Sequence, residues 1–260
     1  AVLVTAPLVG GVAAATFGPP LEQNTAYTEK YEQAYEPFEP APPTDAVVFV
    51  PTPYGPWLNH PFQYIRNDPG FDGRTVYAQE GDAETSWAVL DAYQERRPYR
   101  YRYRGEWTAE PMDRVEPSLQ STERVETDRL QATTRVGIPQ GATSATVTLS
   151  ADEESKQVQL NPTGERLTVE WNLTAERLST GNASVPIAGA TEARLTIVVV
   201  GPQGATTTYE QELLLRPDGE RVGVVWPPEP QVCLAATTCD DAYVPDSDYP
   251  PFVSVETERR

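Results

Sequence analysis

The sequence predicts an α+β protein in which a small α/β unit is followed by an antiparallel, immunoglobulin-like β-sandwich. Strand, loop, strand, helix and strand patterns follow one another in the first part of the chain. From about residue 118, short segments that alternate between apolar and polar residues recur between turn residues. The 5 Trp, the 13 Tyr and the β-branched runs can build cores, which argues against an acidic disordered chain.

Two segments precede the predicted fold. Residues 1–17 are almost wholly apolar or small, lack the positive region of an intact signal peptide, and are slightly short for a membrane span. We interpret them as the outer end of a transmembrane helix; a matured N-terminus packed into the fold is the alternative. Residues 18–44 are rich in Pro, Glu and Tyr and are predicted to form a semi-rigid linker or a strap over the next domain. Within them, residues 21–35 are compatible with a short helix.

Residues 45–116 are predicted to form the small α/β domain. The apolar run at 46–50 is typical of a buried strand, and a second short strand is predicted at 75–78. Residues 82–94 place apolar side chains at helical spacings, which predicts a helix. Residues 99–103 alternate, so that tyrosines share one face of a strand and arginines share the other. This order of elements favours parallel pairing of the strands.

Residues 117–228 are predicted to form the β-sandwich. Alternating segments separated by turn residues predict strands at 130–138, 145–149, 156–160, 166–173, 192–200, 206–215 and 221–225. The remaining residues, 229–260, are rich in Pro and Asp, carry the only two cysteines, and are predicted to form a tail strapped onto the surface.

The charge balance indicates adaptation to high salt. The chain has 38 acidic and 20 basic residues, a formal net charge of -18, and only two lysines, Lys30 and Lys156. Such a surface retains water and cations, but its self-repulsion strains a compact fold at low salt. A halophilic source is therefore predicted. No basic face compensates the negative field, so nucleic acid is not expected as a partner.

Stability is therefore expected to rise with salt. Molar salt shortens the screening length to roughly 3 Å, which removes most of the repulsion between surface carboxylates. The melting temperature should be clearly higher in molar KCl than in dilute buffer. Circular dichroism melts across a KCl series measure this, and a melting temperature that does not change with salt would contradict the halophilic interpretation.

Cysteines and glycosylation motifs point to a location outside the membrane. Cys233 and Cys239 are close enough in sequence to close a small disulfide loop, which implies an oxidising compartment. No metal site is predicted, because His60 is the only histidine and two further ligands would be needed. Sequons begin at Asn172 and Asn182, which makes both candidates for N-glycosylation.

No motif in the sequence predicts a catalytic residue or a cofactor. No Gly-rich phosphate loop follows a strand, there is no nucleophile-elbow pattern, and a single histidine leaves little room for a His-based triad. Carboxylates are so numerous that their spacing in sequence does not decide whether two of them could act on a glycosidic bond.

Two features are candidate ligand sites. The loop after the first strand concentrates aromatic, amide and imidazole groups at the carboxyl end of a strand, where ligands of open α/β sheets commonly bind; its candidates for sugar binding are Tyr54, Trp57, Asn59 and His60. The alternative is that these aromatics fill the domain core.

The second feature is the arginine face, Arg96, Arg97, Arg100, Arg102 and Arg104, in which Arg100 and Arg102 are candidates for binding a phosphate or an anionic lipid head group. The alternative is that the arginines pair with neighbouring carboxylates.

The same part of the chain resembles a known group of proteins. The stretches Val47–Phe62, Arg66–Tyr77, Ala88–Tyr93 and Tyr99–Trp107 resemble the soluble C-terminal region of haloarchaeal multi-pass membrane proteins. Those proteins are similar to glycosyltransferases of the dolichyl-phosphate-mannose mannosyltransferase and aminoarabinose-transferase type. The resemblance covers residues 45–110 well and the sandwich only in general character.

The resemblance implies an accessory domain on the extracellular face of a membrane. Residues 1–17 would end the last transmembrane helix of a parent glycosyltransferase, and the domain would bind an acceptor glycan or glycoprotein. In that superfamily the catalytic acid lies in a loop of the membrane part, so no catalytic residue is carried over to this chain. The alternative function is that of a structural or adhesive cell-surface protein, or a viral spike component, of a halophile that acts through its sandwich. The ligand and the oligomeric state stay open.

Overall fold

The structure is a computed structural model that describes residues 23–52, 62, 65–105, 107, 110, 115–235, 242–245 and 247–260. It contains helix α1 at residues 23–35 and helix α2 at Ala83–Ala92. The strands are β1 Ala46–Val50, β2 Thr75–Gln79, β3 Arg97–Arg104, β4 Glu116–Ser121, β5 Glu123–Thr127, β6 Arg129–Gly137, β7 Ser144–Ala151, β8 Glu154–Leu160, β9 Arg166–Thr174, β10 Arg177–Thr180, β11 Ala183–Pro186, β12 Thr191–Val200, β13 Thr206–Asp218, β14 Arg221–Trp226, β15 Glu229–Leu234 and β16 Val255–Arg259.

The first unit is a four-stranded sheet with the order β2-β1-β3-β4. Strand β1 pairs in parallel with β2 and β3, whereas β4 runs antiparallel to β3. All five residues of β1 are buried, as expected for a continuous apolar run in a sheet covered on both faces. Helix α2 connects β2 to β3, and Asp82 caps it by accepting a 2.8 Å hydrogen bond from the backbone N–H of Thr85. The predicted α/β unit with parallel pairing is confirmed.

Alternate residues of the sheet pack on opposite sides. On one side, Tyr101 packs against the rings of Phe38 and Phe62, and its hydroxyl donates a 2.8 Å hydrogen bond to the carbonyl of Ala34 at the end of α1. Helix α1 therefore lies against this face of the sheet and is tied to it. The other face, including Phe49, packs against α2 and against residues of the second unit.

The second unit is a β-sandwich with two antiparallel sheets. One sheet has the order β11-β10-β9-β6-β16, and the other has the order β5-β14-β13-β12-β7-β8, with β15 paired to β13. The adjacent strands β7, β12 and β13 correspond to strands C, F and G of an immunoglobulin-like domain, and the β6–β9 pair corresponds to B and E. Strict alternation along β7 and β12 places one side chain in two in a shared core around Trp171. The predicted fold class is confirmed.

Several strands have no clear pattern in the sequence. Strand β4 joins the first sheet while β5 begins the sandwich, so the change between units falls at Thr122. The segment predicted to be a tail contributes β15 and β16 to the sandwich. Strand β16 is an edge strand of mostly exposed polar residues, and its pairing with β6 is reinforced by ion pairs such as Arg135–Glu258 at 2.7 Å. Its position depends on backbone pairing, on cross-strand charge and on a partly buried face, in which Val255 packs against the sandwich core and Thr257 accepts a hydrogen bond from Gln211.

In the described part of the chain, no helix combines the length and the apolar composition that a membrane span requires. Residues 1–17, which we interpret as the end of a transmembrane helix, lie outside that part.

Candidate functional site

A polar cavity of about 190 Å³ lies where the first unit meets the sandwich. Its apolar wall comes from both units and includes Phe49 and Leu214. Its polar lining combines charged and amide side chains, of which Arg100 and Glu229 are buried, Glu80, Arg102, Glu212 and Gln231 are half-buried, and Glu192 is exposed.

The topology of the first sheet explains why polar groups meet here. The parallel strands β1 and β2 end at the same edge, and Glu80 and Gly81 follow β2 directly, before α2 begins. Ligands of open α/β sheets commonly bind in the crevice at the carboxyl ends of such strands. On β3, Tyr101 faces α1, so the alternating residues Arg100 and Arg102 point towards the sandwich.

Arg102 is held by two carboxylates. Its Nη1 lies 2.7 Å from Oε1 of Glu80, and its Nε contacts a carboxylate oxygen of Glu229. Burial alone would lower the pKa of Arg102, but the charges of Glu229 and Glu80 outweigh this and raise it above its usual range. Arg102 is therefore a fixed cation that joins the first unit to β15.

The side chain of Arg100 is not held by carboxylates as Arg102 is, although Arg100 lies two residues earlier on the same face of β3. It is only 7 % exposed, and its Nη1 has no hydrogen-bond partner within the described residues. Burial lowers the pKa of Arg100, and the neighbouring charge of Arg102 lowers it further. A buried guanidinium with unsatisfied donors is unfavourable for folding, so its presence needs a reason other than stability.

One buried acceptor on the sandwich side of the cavity also lacks a partner. Oε1 of Gln231 is buried without a hydrogen-bond donor. The carboxylate of Glu212 is paired with Arg194 at 3.1 Å, whereas Glu192 forms no ion pair in the described part of the chain. Burial raises the pKa of Glu192, and the charge of Glu212 raises it further. The cavity is thus lined by a buried unpaired donor on β3, a buried unpaired acceptor on β15 and the exposed carboxylate of Glu192 on β12.

Replacing Glu192 tests this electrostatic environment. Its folded-state pKa is raised, so the folded state holds the proton more tightly than the unfolded chain. The stability contributed by Glu192 is therefore present at low pH and is lost as the pH rises from the usual carboxyl pKa of 4.5 through the raised value. Glu192→Gln should remove this loss and be at least as stable as the parent at pH 7.

The measurement is the urea midpoint from pH 4 to pH 8 at constant molar KCl. Glu153→Gln is the control, because Glu153 is exposed in the turn between β7 and β8. If the urea midpoints of the parent and of Glu192→Gln change with pH in parallel, ionisation of Glu192 does not lower the stability of the folded state.

The structure separates the arginines that the sequence grouped together. Arg104 pairs with Glu116 at 3.3 Å, and Arg96 donates a 2.6 Å hydrogen bond to the carbonyl of Gly73. Ion pairing or backbone hydrogen bonding thus accounts for these residues and for Arg102, but not for Arg100. The loop candidates lie outside the described residues, and their part in a site stays a prediction: Tyr54, Trp57, Asn59 and His60.

The acceptors of the cavity have no signal in the sequence. Glu192, Glu229 and Gln231 belong to the sandwich and are far along the chain from Arg100. In a chain with 38 acidic residues, no local pattern distinguishes them from solvated surface carboxylates. Only the docking of the sandwich onto the first sheet brings them to the arginines.

The remaining candidates fall elsewhere. Cys233 is disulfide-bonded, and the only other cysteine in the sequence, Cys239, lies outside the described residues. Asn182 is exposed in the tight turn between β10 and β11, whereas Asn172 is half-buried within β9. No group of three or more His, Cys, Asp or Glu side chains that could hold a metal ion occurs among the residues that the structure describes.

These features define a β-rich protein in which an α/β sheet and an immunoglobulin-like sandwich enclose a polar cavity. The chain belongs to the family DUF7846, a domain of unknown function, which matches residues 46–213. The match includes Arg100, Arg102 and Glu192 and stops before β15. No curated protein and no solved structure matches the chain. The resemblance to glycosyltransferase-like membrane proteins stays a prediction.

Proposed function

We propose that this chain is a non-catalytic binding domain for a glycan or glycoprotein acceptor and serves as an extracytoplasmic accessory domain of a glycosyltransferase-like membrane protein. The observation that carries the proposal is the cavity at Arg100, in which buried donors and acceptors without partners line one space. Its position at the carboxyl ends of parallel strands is the usual place for a ligand in such a sheet.

The chemistry of the lining favours a ligand with hydroxyl groups. A guanidinium only donates hydrogen bonds, and an amide or carboxylate oxygen only accepts them. A hydroxyl group does both, so it can satisfy Arg100 on one side and Gln231 or Glu192 on the other. Because buried polar atoms without partners are unfavourable, hydrogen bonds from such a ligand to these atoms would favour binding.

Three further features support the proposed location and the absence of catalysis. The disulfide at Cys233 suits an oxidising compartment, and the exposed Asn182 suits a protein that is glycosylated outside the membrane. The sequence contains no nucleophile or phosphate-loop motif. The link to a glycosyltransferase parent rests on the resemblance of residues 45–110.

Binding to a glycan array in molar KCl tests the proposal. We expect the intact chain to retain a defined subset of neutral glycans, and failure to retain any glycan would overturn the proposal. Trp57→Ala tests the aromatic loop separately, because undiminished binding in this variant would confine the site to the cavity. Light scattering on the same sample completes the test, since a stable oligomer without sugar affinity favours a structural or adhesive surface protein.

A further inference from the structure

The charges around the cavity restrict the class of ligand. The six charged residues of the lining are two arginines and four glutamates, so their formal net charge is 2 − 4 = −2. One of the arginines, Arg102, is already neutralised by Glu80 and Glu229. A phosphate or a uronic acid would therefore enter a negative environment with one free guanidinium, whereas bidentate recognition of such anions usually recruits several donors.

A positively charged ligand is disfavoured at the point where the unpaired donor lies, although the lining as a whole is negative. Arg100 is buried, and an ammonium group beside it would add repulsion in a region of low dielectric. The buried groups that lack partners are one donor, on Arg100, and one acceptor, on Gln231, and the exposed carboxylate of Glu192 adds a second acceptor to the lining. This set suits a neutral molecule whose adjacent oxygen atoms accept from one wall and donate to the other.

The walls that carry these groups belong to different units. Arg100 lies on β3 of the first sheet, while Glu192 begins β12 and Gln231 lies on β15 of the sandwich. A ligand that contacts all three spans the junction between the units. The volume of about 190 Å³ is smaller than the roughly 300–1,000 Å³ of sites for drug-sized ligands, so it suits one small molecule or one residue of a chain.

We propose that the cavity binds a single neutral sugar residue, with Arg100 donating to its oxygen atoms and Gln231 and Glu192 accepting from its hydroxyl groups. This inference rests on the proposed glycan-binding function and names the ligand class and the residues that select it. Arg100 is then a binding residue whose guanidinium finds its hydrogen-bond acceptor in the ligand.

The test uses the intact chain in molar KCl and compares neutral methyl glycosides of mannose, glucose and galactose with glucuronate, glucosamine and inorganic phosphate. Saturation-transfer NMR ranks the probes, and calorimetry gives their affinities. We expect at least one neutral glycoside to bind at least tenfold more tightly than the three charged probes.

Variants locate the site. Arg100→Met should weaken binding of the neutral glycoside at least tenfold without lowering the melting temperature, because the guanidinium forms no hydrogen bond or ion pair with the described residues. Gln231→Leu provides a second, independent removal of a lining group and should weaken binding about three- to tenfold, the loss expected for one hydrogen bond. Arg177→Met is the matched control, since Arg177 is mostly exposed on β10, and it should bind like the parent.

The outcomes distinguish this inference from the proposed function. Neutral glycoside binding that survives both Arg100→Met and Gln231→Leu would overturn the cavity assignment but leave glycan binding by the chain intact. Tighter binding of glucuronate, phosphate or glucosamine would overturn the neutral ligand class. Absence of binding both to the glycan array and to every probe would overturn the proposed function together with this inference.

Discussion

Arg102→Met is expected to lower the free energy of unfolding by about 3–5 kcal/mol, whereas Arg100→Met is expected to leave it unchanged or raise it. The two arginines lie on the same face of β3, line the same cavity and are both largely buried. Methionine replaces either side chain with an unbranched apolar one of similar length. The difference between the two variants therefore reports the partners of each guanidinium rather than its size.

The expected loss in Arg102→Met comes from what the substitution leaves behind. Glu229 is 6 % exposed, and burial raises its pKa while Arg102 opposes that rise. Without Arg102 its carboxylate has to be buried as an unpaired charge or to take up a proton, and both reduce stability at neutral pH. Arg100 also lowers the pKa of Glu229, but less than Arg102 does, and it forms no ion pair with a described residue. Arg100→Met therefore leaves a smaller uncompensated charge, and it removes the unfavourable desolvation of an unpaired cation.

Urea unfolding followed by tryptophan fluorescence in molar KCl measures both variants. Glu229→Leu combined with Arg102→Met should recover much of the stability, because the buried carboxylate is then removed with its partner. Equal losses in the two arginine variants would show that Arg100 has a structural partner. A stable Arg102→Met variant would show that the ion pairs with Glu80 and Glu229 contribute little.

Local patterns were sufficient to predict most of the fold. The run at 46–50 has no polar residue, so it predicts a strand buried on both faces, and the strict alternation at 192–200 predicts a strand with one buried face. Strand β16 could not be predicted in this way. It reads Val-Glu-Thr-Glu-Arg, and its position depends on pairing with β6, which is distant in sequence.

The site was predictable only in part, for a related reason. Alternation on β3 indicates that Arg100 and Arg102 share a face, and the structure places both at one cavity. Whether each arginine has a partner depends on Glu80, Glu229 and the other carboxylates of the lining, most of which come from the sandwich. Tertiary docking, which has no local sequence pattern, decides that Arg102 is neutralised and Arg100 is not.

Trp87 holds the two units together next to this cavity, in a core cluster with the lining residues Phe49, Leu90, Leu214 and Val225. Its side chain on α2 is 1 % exposed, and the guanidinium groups of Arg216 and Arg124 lie 4.5 Å and 5.4 Å from the centre of its ring. Both arginines also pair with Asp91, at 2.5 Å and 2.7 Å. On the sandwich, a methyl group added at Gly223 would lie 2.9 Å from Cη2 of Trp87, so a glycine is needed there for the ring to fit.

Trp87→Ala is therefore expected to lower the free energy of unfolding by about 3–5 kcal/mol, the usual range for removing a buried tryptophan. The lost ring also leaves Arg124 and Arg216 without their cation–π partner and loosens the contact of α2 with β13 and β14. Because Leu90 of α2 and Val225 of β14 line the cavity, we expect ligand binding to fall together with stability.

Phe71→Ala, at a 55 % exposed phenylalanine, is the control and should change stability by no more than about 0.5 kcal/mol. Urea unfolding of both variants provides the comparison, and a Trp87→Ala variant as stable as Phe71→Ala would mean that the two units are held together without this contact.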